Sequence, residues 1–182
     1  MRADARRNRE RILTAARDAF GEHGPLTQMD DVALRAGVGV GTLYRHFPTK
    51  DALVAELVRQ KFVLITERAE QALQENGDPF EIFAAMLEQT HAAFEKDAAG
   101  QDAIMRASGE WSEEVVAQQQ LLDAAVQELI DRAQAAGSMR PDFAVTDMPM
   151  LMCGISSTMS HNAPGFDWRR HLEILLDGLR AR

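Results

Sequence analysis

At 182 residues, 46% of them hydrophobic and with modest glycine and proline, the chain has room for one or two globular domains and a sizeable core. A formal net charge of -8 argues against nucleic-acid binding only until it is divided. Residues 1–61 hold 11 Lys and Arg against 8 Asp and Glu, a balance of +3, while residues 62–182 hold 9 against 20, a balance of -11. A single cysteine, Cys153, excludes an internal disulfide and suits a reducing cytoplasm. The arginine-rich start lacks the apolar run of a signal peptide, and no segment approaches the ~20 apolar residues of a membrane span.

Residues 1–9, MRADARRNR, carry four arginines and no apolar face. They read either as a solvated terminus or as an arm whose Arg6, Arg7 and Arg9 reach DNA phosphate or the minor groove. A first helix is expected over 10–22, with Ile12, Leu13, Ala16 and Phe20 on its core face and Gly24-Pro25 ending it. The stretch Thr27 to Lys50, TQMDDVALRAGVGVGTLYRHFPTK, then reads as two short helices around a tight turn. Thr27 with Asp30 resembles a capping box, and Met29, Val32, Ala33 and Ala36 recur at helical spacing. Gly37 is placed to take the left-handed backbone that ends a helix. A second helix from about Val40 to His46 carries Thr42, Tyr44, Arg45 and His46 as a polar face, leaving Leu43 and Phe47 as anchors, and Pro48 stops it. A helix this short is held by its neighbours, so its polar groups are presented rather than buried. Two helices around a short glycine-containing turn make a helix-turn-helix, whose second helix enters the major groove.

Thr49 is expected to cap a longer helix running from Lys50 to about Glu75, with Leu53, Leu57 and Leu64 along its apolar stripe. A lysine in a first helical turn opposes the helix dipole, and Lys50 gains from that position only beside an anion such as a DNA phosphate. Asn76-Gly77-Asp78-Pro79 breaks the chain. From Phe80 to about Lys96 the apolar positions 80, 83, 87 and 94 define a face that also holds His91, either a core residue or a ligand-binding group. Residues 98–100 read as a loop, followed by a short helix with Ile104 and Met105. Trp111 precedes Ser112, a cap with Glu113 and Glu114 behind it, and Val115, Leu122, Val126, Leu129 and Ala133 mark a helix ending near Gly137. Gln119 interrupts that stripe, as a polar group aimed into a pocket or as a boundary residue. Helices from about Asp147 to His161 and from Trp168 onward carry consecutive apolar faces, including Leu151, Ile155, Leu172 and Leu176, that suit a partner surface. Five methionines between 139 and 159 fit core or dimer interface better than a ligand site.

Enzyme chemistry has little support in these residues. Gly37-x-Gly39-x-Gly41 follows a helix rather than a strand and lacks the rest of a phosphate-binding loop. The five histidines are scattered, and with one cysteine they make no metal-binding spacing, so neither a metal nor a cofactor is expected.

Residues 10–57 resemble the DNA-binding domain of TetR-family transcriptional regulators. RILTAARDAFGEHG, then LTQMDDVALRAGV, then GTLYRHFPTKDALVAEL follow the family's order and spacing, and GTLYRHFPTK is the most specific part. Residues 62–182 resemble the family in length and helical character alone. Gly39 and Val40 depart from the family, which commonly places a small hydroxyl residue and then a polar or basic one there. The resemblance implies an all-α fold, with a three-helix DNA-binding domain over 1–54 and a larger helical effector-binding and dimerisation domain over 55–182. It implies a repressor that binds a palindromic double-stranded DNA operator as a homodimer through the last two helices, about 147–181, and that a small molecule releases. By position, Thr42, Tyr44, Arg45 and His46 would meet DNA, Val40 would be placed to touch a thymine methyl, and Thr27 and Lys50 would hold phosphate. Pocket candidates are Phe83, Met86, His91, Met105, Trp111 and Gln119, which combine apolar bulk with a few polar groups. The rival readings are a DNA-binding protein governed by a protein partner or by no ligand, and a helical enzyme.

Overall fold

The computed structural model describes residues 2–97, 100–101, 104–105, 110–161 and 163–181. Among them are eight α-helices: α1 (Arg2–His23), α2 (Met29–Ala36), α3 (Val40–His46), α4 (Lys50–Ala72), α5 (Pro79–Phe94), α6 (Glu113–Ala135), α7 (Met148–Ser160) and α8 (Trp168–Leu179). They fall into two compact units, Met1–Gln60 with Asp97–Val115, and Lys61–Lys96 with Val116–Arg182, and α4 contributes to both. No helix among the described residues is long and apolar enough to cross a membrane.

In the first unit α1 starts at Arg2 rather than at residue 10. The added turns are rich in Ala and Arg, good helix formers, and Asp4 sits in the first turn where the helix dipole favours an anion. Ile12, Leu13, Ala16 and Phe20 are buried as their spacing demands, as are Val32 and Ala33 of α2 and Leu43, Phe47, Leu53 and Leu57 further on, and α1 packs on α2 and α3. Each large side chain so buried contributes roughly 1.5–3 kcal/mol. Gly100 stands so close to α1 that a Cβ there would lie 2.8 Å from the Arg17 carbonyl oxygen. Residues 100–101 and 104–105 are helical, whereas Ala98 and Ala99 of the expected loop lie outside the described residues.

In the second unit α4 from residue 61 onward runs antiparallel to α5. The Arg68 guanidinium donates to the Gln89 carbonyl (2.9 Å), and the Lys61 ammonium lies 5.3 Å from the Phe94 ring centre. Helix α6 runs parallel to α4, since Gln118 meets Thr66 at one end and Arg132 meets the Leu73 carbonyl at the other. Asp78 caps α5 by accepting from the Phe80 and Glu81 N–H groups, with Pro79 in the first turn where its missing N–H costs nothing. Helix α8 is clasped to α5 at both ends, by Trp168 and Arg169 on Glu95 and by Arg180 on Glu81. Past α8 the chain pairs with 138–140: Arg140 N–H donates to the Leu179 carbonyl and Ala181 N–H to that of Ser138. Between the helices Phe80, Phe83, Met86, Leu87, Val126, Leu129, Ile130, Ile155, Trp168 and Leu172 pack into one apolar core.

Candidate nucleic-acid interface

The interface candidates are set by how α2 and α3 are tied together. Helix α2 ends at Gly37, whose φ of 62° and ψ of 39° let its N–H return to the Ala33 and Leu34 carbonyls. The Arg11 guanidinium donates to the Gly37 carbonyl at 3.2 Å, fixing the turn to α1. Extended Gly39 then serves as the N-cap of α3 with no side chain to bond the free N–H groups, as its identity dictates. Leu43 and Phe47 drive α3 into the core, and that fixes which face looks outward. Val40 is 42% exposed and Tyr44 43% exposed, Arg45 is exposed, and Thr42 and His46 are half-buried at the edges of the same face. Arg45 is held along the helix, its Nε donating to the Gly41 carbonyl (3.1 Å) and its Nη2 to the Thr42 hydroxyl (3.0 Å). The face therefore offers one guanidinium, two hydroxyls, an imidazole and a β-branched apolar side chain on a helix of two turns, a set suited to phosphates and base edges.

One expected contact is corrected. Thr27 does not cap α2: the N-cap is Gln28, which makes no side-chain cap bond. Thr27 is 2% exposed, and its hydroxyl donates to the Ala19 carbonyl at 3.0 Å and the Gly24 carbonyl at 2.8 Å. It locks α1 to the approach of α2 and cannot reach a phosphate. Residues 2–9, expected as a solvated terminus or as an arm reaching DNA, are helical. Arg7 pairs with Asp4, and Arg9 meets the Glu56 carboxylate at 3.0 Å with its guanidinium 5.3 Å from the centre of the Phe47 ring. Burial works against the Glu56 charge, but Arg59 and Arg9 together hold its carboxyl below the usual range, so Arg9 is tied into the fold.

Lys50 is half-buried at the first turn of α4. Its ammonium donates to the Pro25 carbonyl at 2.5 Å and lies 5.6 Å from the centre of the Phe20 ring, which answers the unfavourable dipole within the chain itself. Two of its three donors remain for another acceptor. Thr49 caps α4 as its position requires, accepting from the Ala52 N–H at 3.0 Å.

The six pocket candidates do not lie in one unit. Met105 and Trp111 belong to the first, and Phe83, Met86, His91 and Gln119 to the second. Phe83 and Met86 are integral to the apolar core, and Gln119 is half-buried on α6. His91 is 5% exposed. Its Nδ1–H donates to the Leu87 carbonyl at 2.7 Å, and burial, partly offset by that bond, holds its pKa below the ordinary value. Two polar residues missed in the sequence lie in the same interior, Thr66 and Thr90. Thr66 ends an apolar run before Glu67 and Thr90 lies between Gln89 and His91, so neither is marked by its neighbours as buried. Among the described residues no group of three or more His, Cys, Asp or Glu side chains could hold a metal ion.

Comparison with known proteins agrees with this geometry. Residues 12–57 match the family described as bacterial regulatory proteins, tetR family, and residues 78–181 match the C-terminal domain of SbtR-like transcriptional regulators. An HTH-type transcriptional regulator of Staphylococcus aureus is 40% identical over 77 residues, 41% of this chain and 40% of that protein. The transcriptional repressor KstR of Mycolicibacterium smegmatis is 33% identical over 103 residues, 56% of this chain and 50% of that one. The chain thus spans half or less of the length of these curated relatives. Solved structures match over nearly the full length. A TetR transcriptional regulator from Streptomyces coelicolor is 33% identical with a TM-score of 0.66, covering 95% of this chain and 98% of that one. The regulator FadR from Bacillus subtilis, solved with stearoyl-CoA, is 20% identical with a TM-score of 0.75 over 93% of this chain and 98% of that one, a likeness of fold. With both its halves matched, and its turn, its buried anchors and its outward α3 in place, the chain belongs to the TetR family of helix-turn-helix transcriptional regulators, a family of regulators and not of enzymes.

Proposed function

We propose that the chain is a repressor that binds a palindromic operator as a homodimer and leaves it when a small molecule binds. DNA binding is assigned to residues 1–54, and effector binding with dimerisation to 55–182. The observation that carries the reading is the outward face of α3, where Val40, Thr42, Tyr44, Arg45 and His46 stand clear of a core that takes up Leu43 and Phe47. Val40 and Thr42 are placed for base edges; Tyr44, Arg45, His46 and Lys50 are placed for phosphate. Helices α7 and α8 supply the dimer contact. Met150 is 69% exposed and Ile174 54% exposed, and Leu151, Met152, Met159, Leu175 and Leu176 are only partly covered in the single chain. A two-fold dimer would set two α3 helices one turn of DNA apart, about 34–36 Å, or a multiple of it. A ligand that prefers a different spacing weakens operator binding by its differential affinity, typically about 1–3 kcal/mol. Response to a small molecule is supported by the fold shared with FadR, which was solved with stearoyl-CoA.

Selection of binding sites from random duplex DNA tests this reading. A palindrome bound at least about a thousandfold more tightly than random duplex is expected. Binding that is sequence-blind and steeply salt-dependent would overturn the repressor reading in favour of an architectural one.

A further inference from the structure

The start of α3, Gly39-Val40-Gly41-Thr42, carries no Arg, Lys, Asn or Gln, the side chains that grip a base with two hydrogen bonds at once. The arginine of this helix, Arg45, stands a turn further on and lies along it. Its Nε donates to the Gly41 carbonyl at 3.1 Å and its Nη2 to the Thr42 hydroxyl at 3.0 Å. Val40 therefore dominates the first turn. It is apolar yet 42% exposed, while Leu43, three residues on, is fully buried. Glycine on either side leaves its two methyl groups without a neighbouring side chain in sequence. Tyr44, one turn along the same face, is 43% exposed.

In a helix-turn-helix the N-terminal residues of the second helix meet the base edges in the major groove. An apolar side chain there discriminates by what it leaves unpaired. Over a purine it would cover N7 and the neighbouring O6 or N6, taking hydrogen bonds from water and returning none. Over a cytosine it would crowd the N4 amine and find no methyl to pack on. Over a thymine it meets the C5 methyl, an apolar group of matching size, and the contact removes apolar surface from water on both sides.

We infer that Val40 is a specificity-determining residue that reads the C5 methyl of a pyrimidine, thymine in unmodified DNA, at one position in each half of the operator. This rests on the repressor reading above and deepens it by naming the group that is recognised. Thymine and 5-methylcytosine both carry that group, so recognition follows the methyl and not the hydrogen-bonding atoms of the base.

Fluorescence anisotropy of the full chain on the selected operator, with each symmetry-related pair of thymines replaced in turn by deoxyuridine, tests the assignment. Deoxyuridine pairs as thymine does and lacks only the methyl. Replacing one such pair is expected to weaken the wild type about fifteenfold, from a roughly fourfold loss for the methyl in each half-site. Val40→Ala leaves the anchors Leu43 and Phe47 in place, and the same replacement should cost it less than about twofold. At that pair, 5-methylcytosine should bind the wild type better than cytosine by a similar factor. An operator in which no thymine pair shows the loss would overturn the inference while the repressor reading stands. So would a loss as large in Val40→Ala as in the wild type, or cytosine and 5-methylcytosine bound alike. Failure to select any operator would overturn both.

Discussion

Replacing Lys50 tests whether the charge at the start of α4 serves the fold alone or also the DNA. In the chain, the ammonium makes one hydrogen bond to the Pro25 carbonyl and rests near the Phe20 ring. Together these contribute about 1 kcal/mol to stability, so Lys50→Ala leaves the unit folded, and Lys50→Met, which keeps the apolar stem over Phe20, costs less. If the remaining donors hold a phosphate, a charge-assisted bond is lost and binding falls by about tenfold at 50 mM salt. Each phosphate neutralised contributes about -0.9 to the slope of log affinity against log salt. Across a fourfold rise in salt that is a factor of about 3.5, so the tenfold deficit shrinks to about threefold at 200 mM. Fluorescence anisotropy on the selected operator and on a random duplex, at four salt concentrations, reads both quantities. The loss should be the same on both duplexes, because a phosphate contact carries no sequence information. An unchanged slope would remove Lys50 from the interface and leave it a purely structural cation. A loss confined to the operator would place it on a base.

Leu43→Ala removes the fully buried anchor of α3 and is expected to cost about 3 kcal/mol, read as a lower denaturation midpoint together with loss of operator binding; a shift under about 1 kcal/mol would mean that α3 is held by something else. Glu95, whose carboxyl is drawn down to about 2 first by Arg169 and then by Trp168, binds fewer protons folded than unfolded. Its stabilisation is therefore complete above its ordinary value of 4.5 and disappears as pH falls from there toward 2, and Glu95→Gln should flatten that part of the stability–pH curve. Ile174→Lys on the exposed face of α8 should convert a dimer to a monomer in sedimentation without lowering helix content, and an unchanged mass would relocate the partner surface.

The turn between α2 and α3 was legible residue by residue, because each of its requirements is local. Gly37 supplies the backbone, Leu43 and Phe47 the anchors, Pro48 the stop and Thr49 the next cap. The apolar stripes of α1, α5 and α8 were legible for the same reason, since period and burial are both read along one segment. Thr27 was misread because a threonine before an acidic helix start looks alike whether it caps that helix or bonds back to another. Only the position of the Ala19 carbonyl decides, and that is tertiary. The helical course of residues 2–9 was hidden by the lack of an apolar stripe, although Arg9 finds its partner in Glu56, far along the chain. The burial of Thr66 and Thr90 is not marked in the sequence, because each has a polar or charged residue directly beside it and only the packing of α4 on α5 covers it. His91, the polar residue that did stand out, lies beside Thr90.

Gly41 gives α3 a property that its neighbours lack. It lies in the first turn of a helix, where glycine gives up more backbone freedom than alanine, yet a Cβ added there would meet nothing within 4 Å. Alanine at this position would thus make the protein more robust to heat while adding bulk to the face proposed to meet DNA. Stability and access to the partner pull in opposite directions on one hydrogen atom. A selection for thermal tolerance alone would drift toward a hardier chain with a blunted grip on its operator.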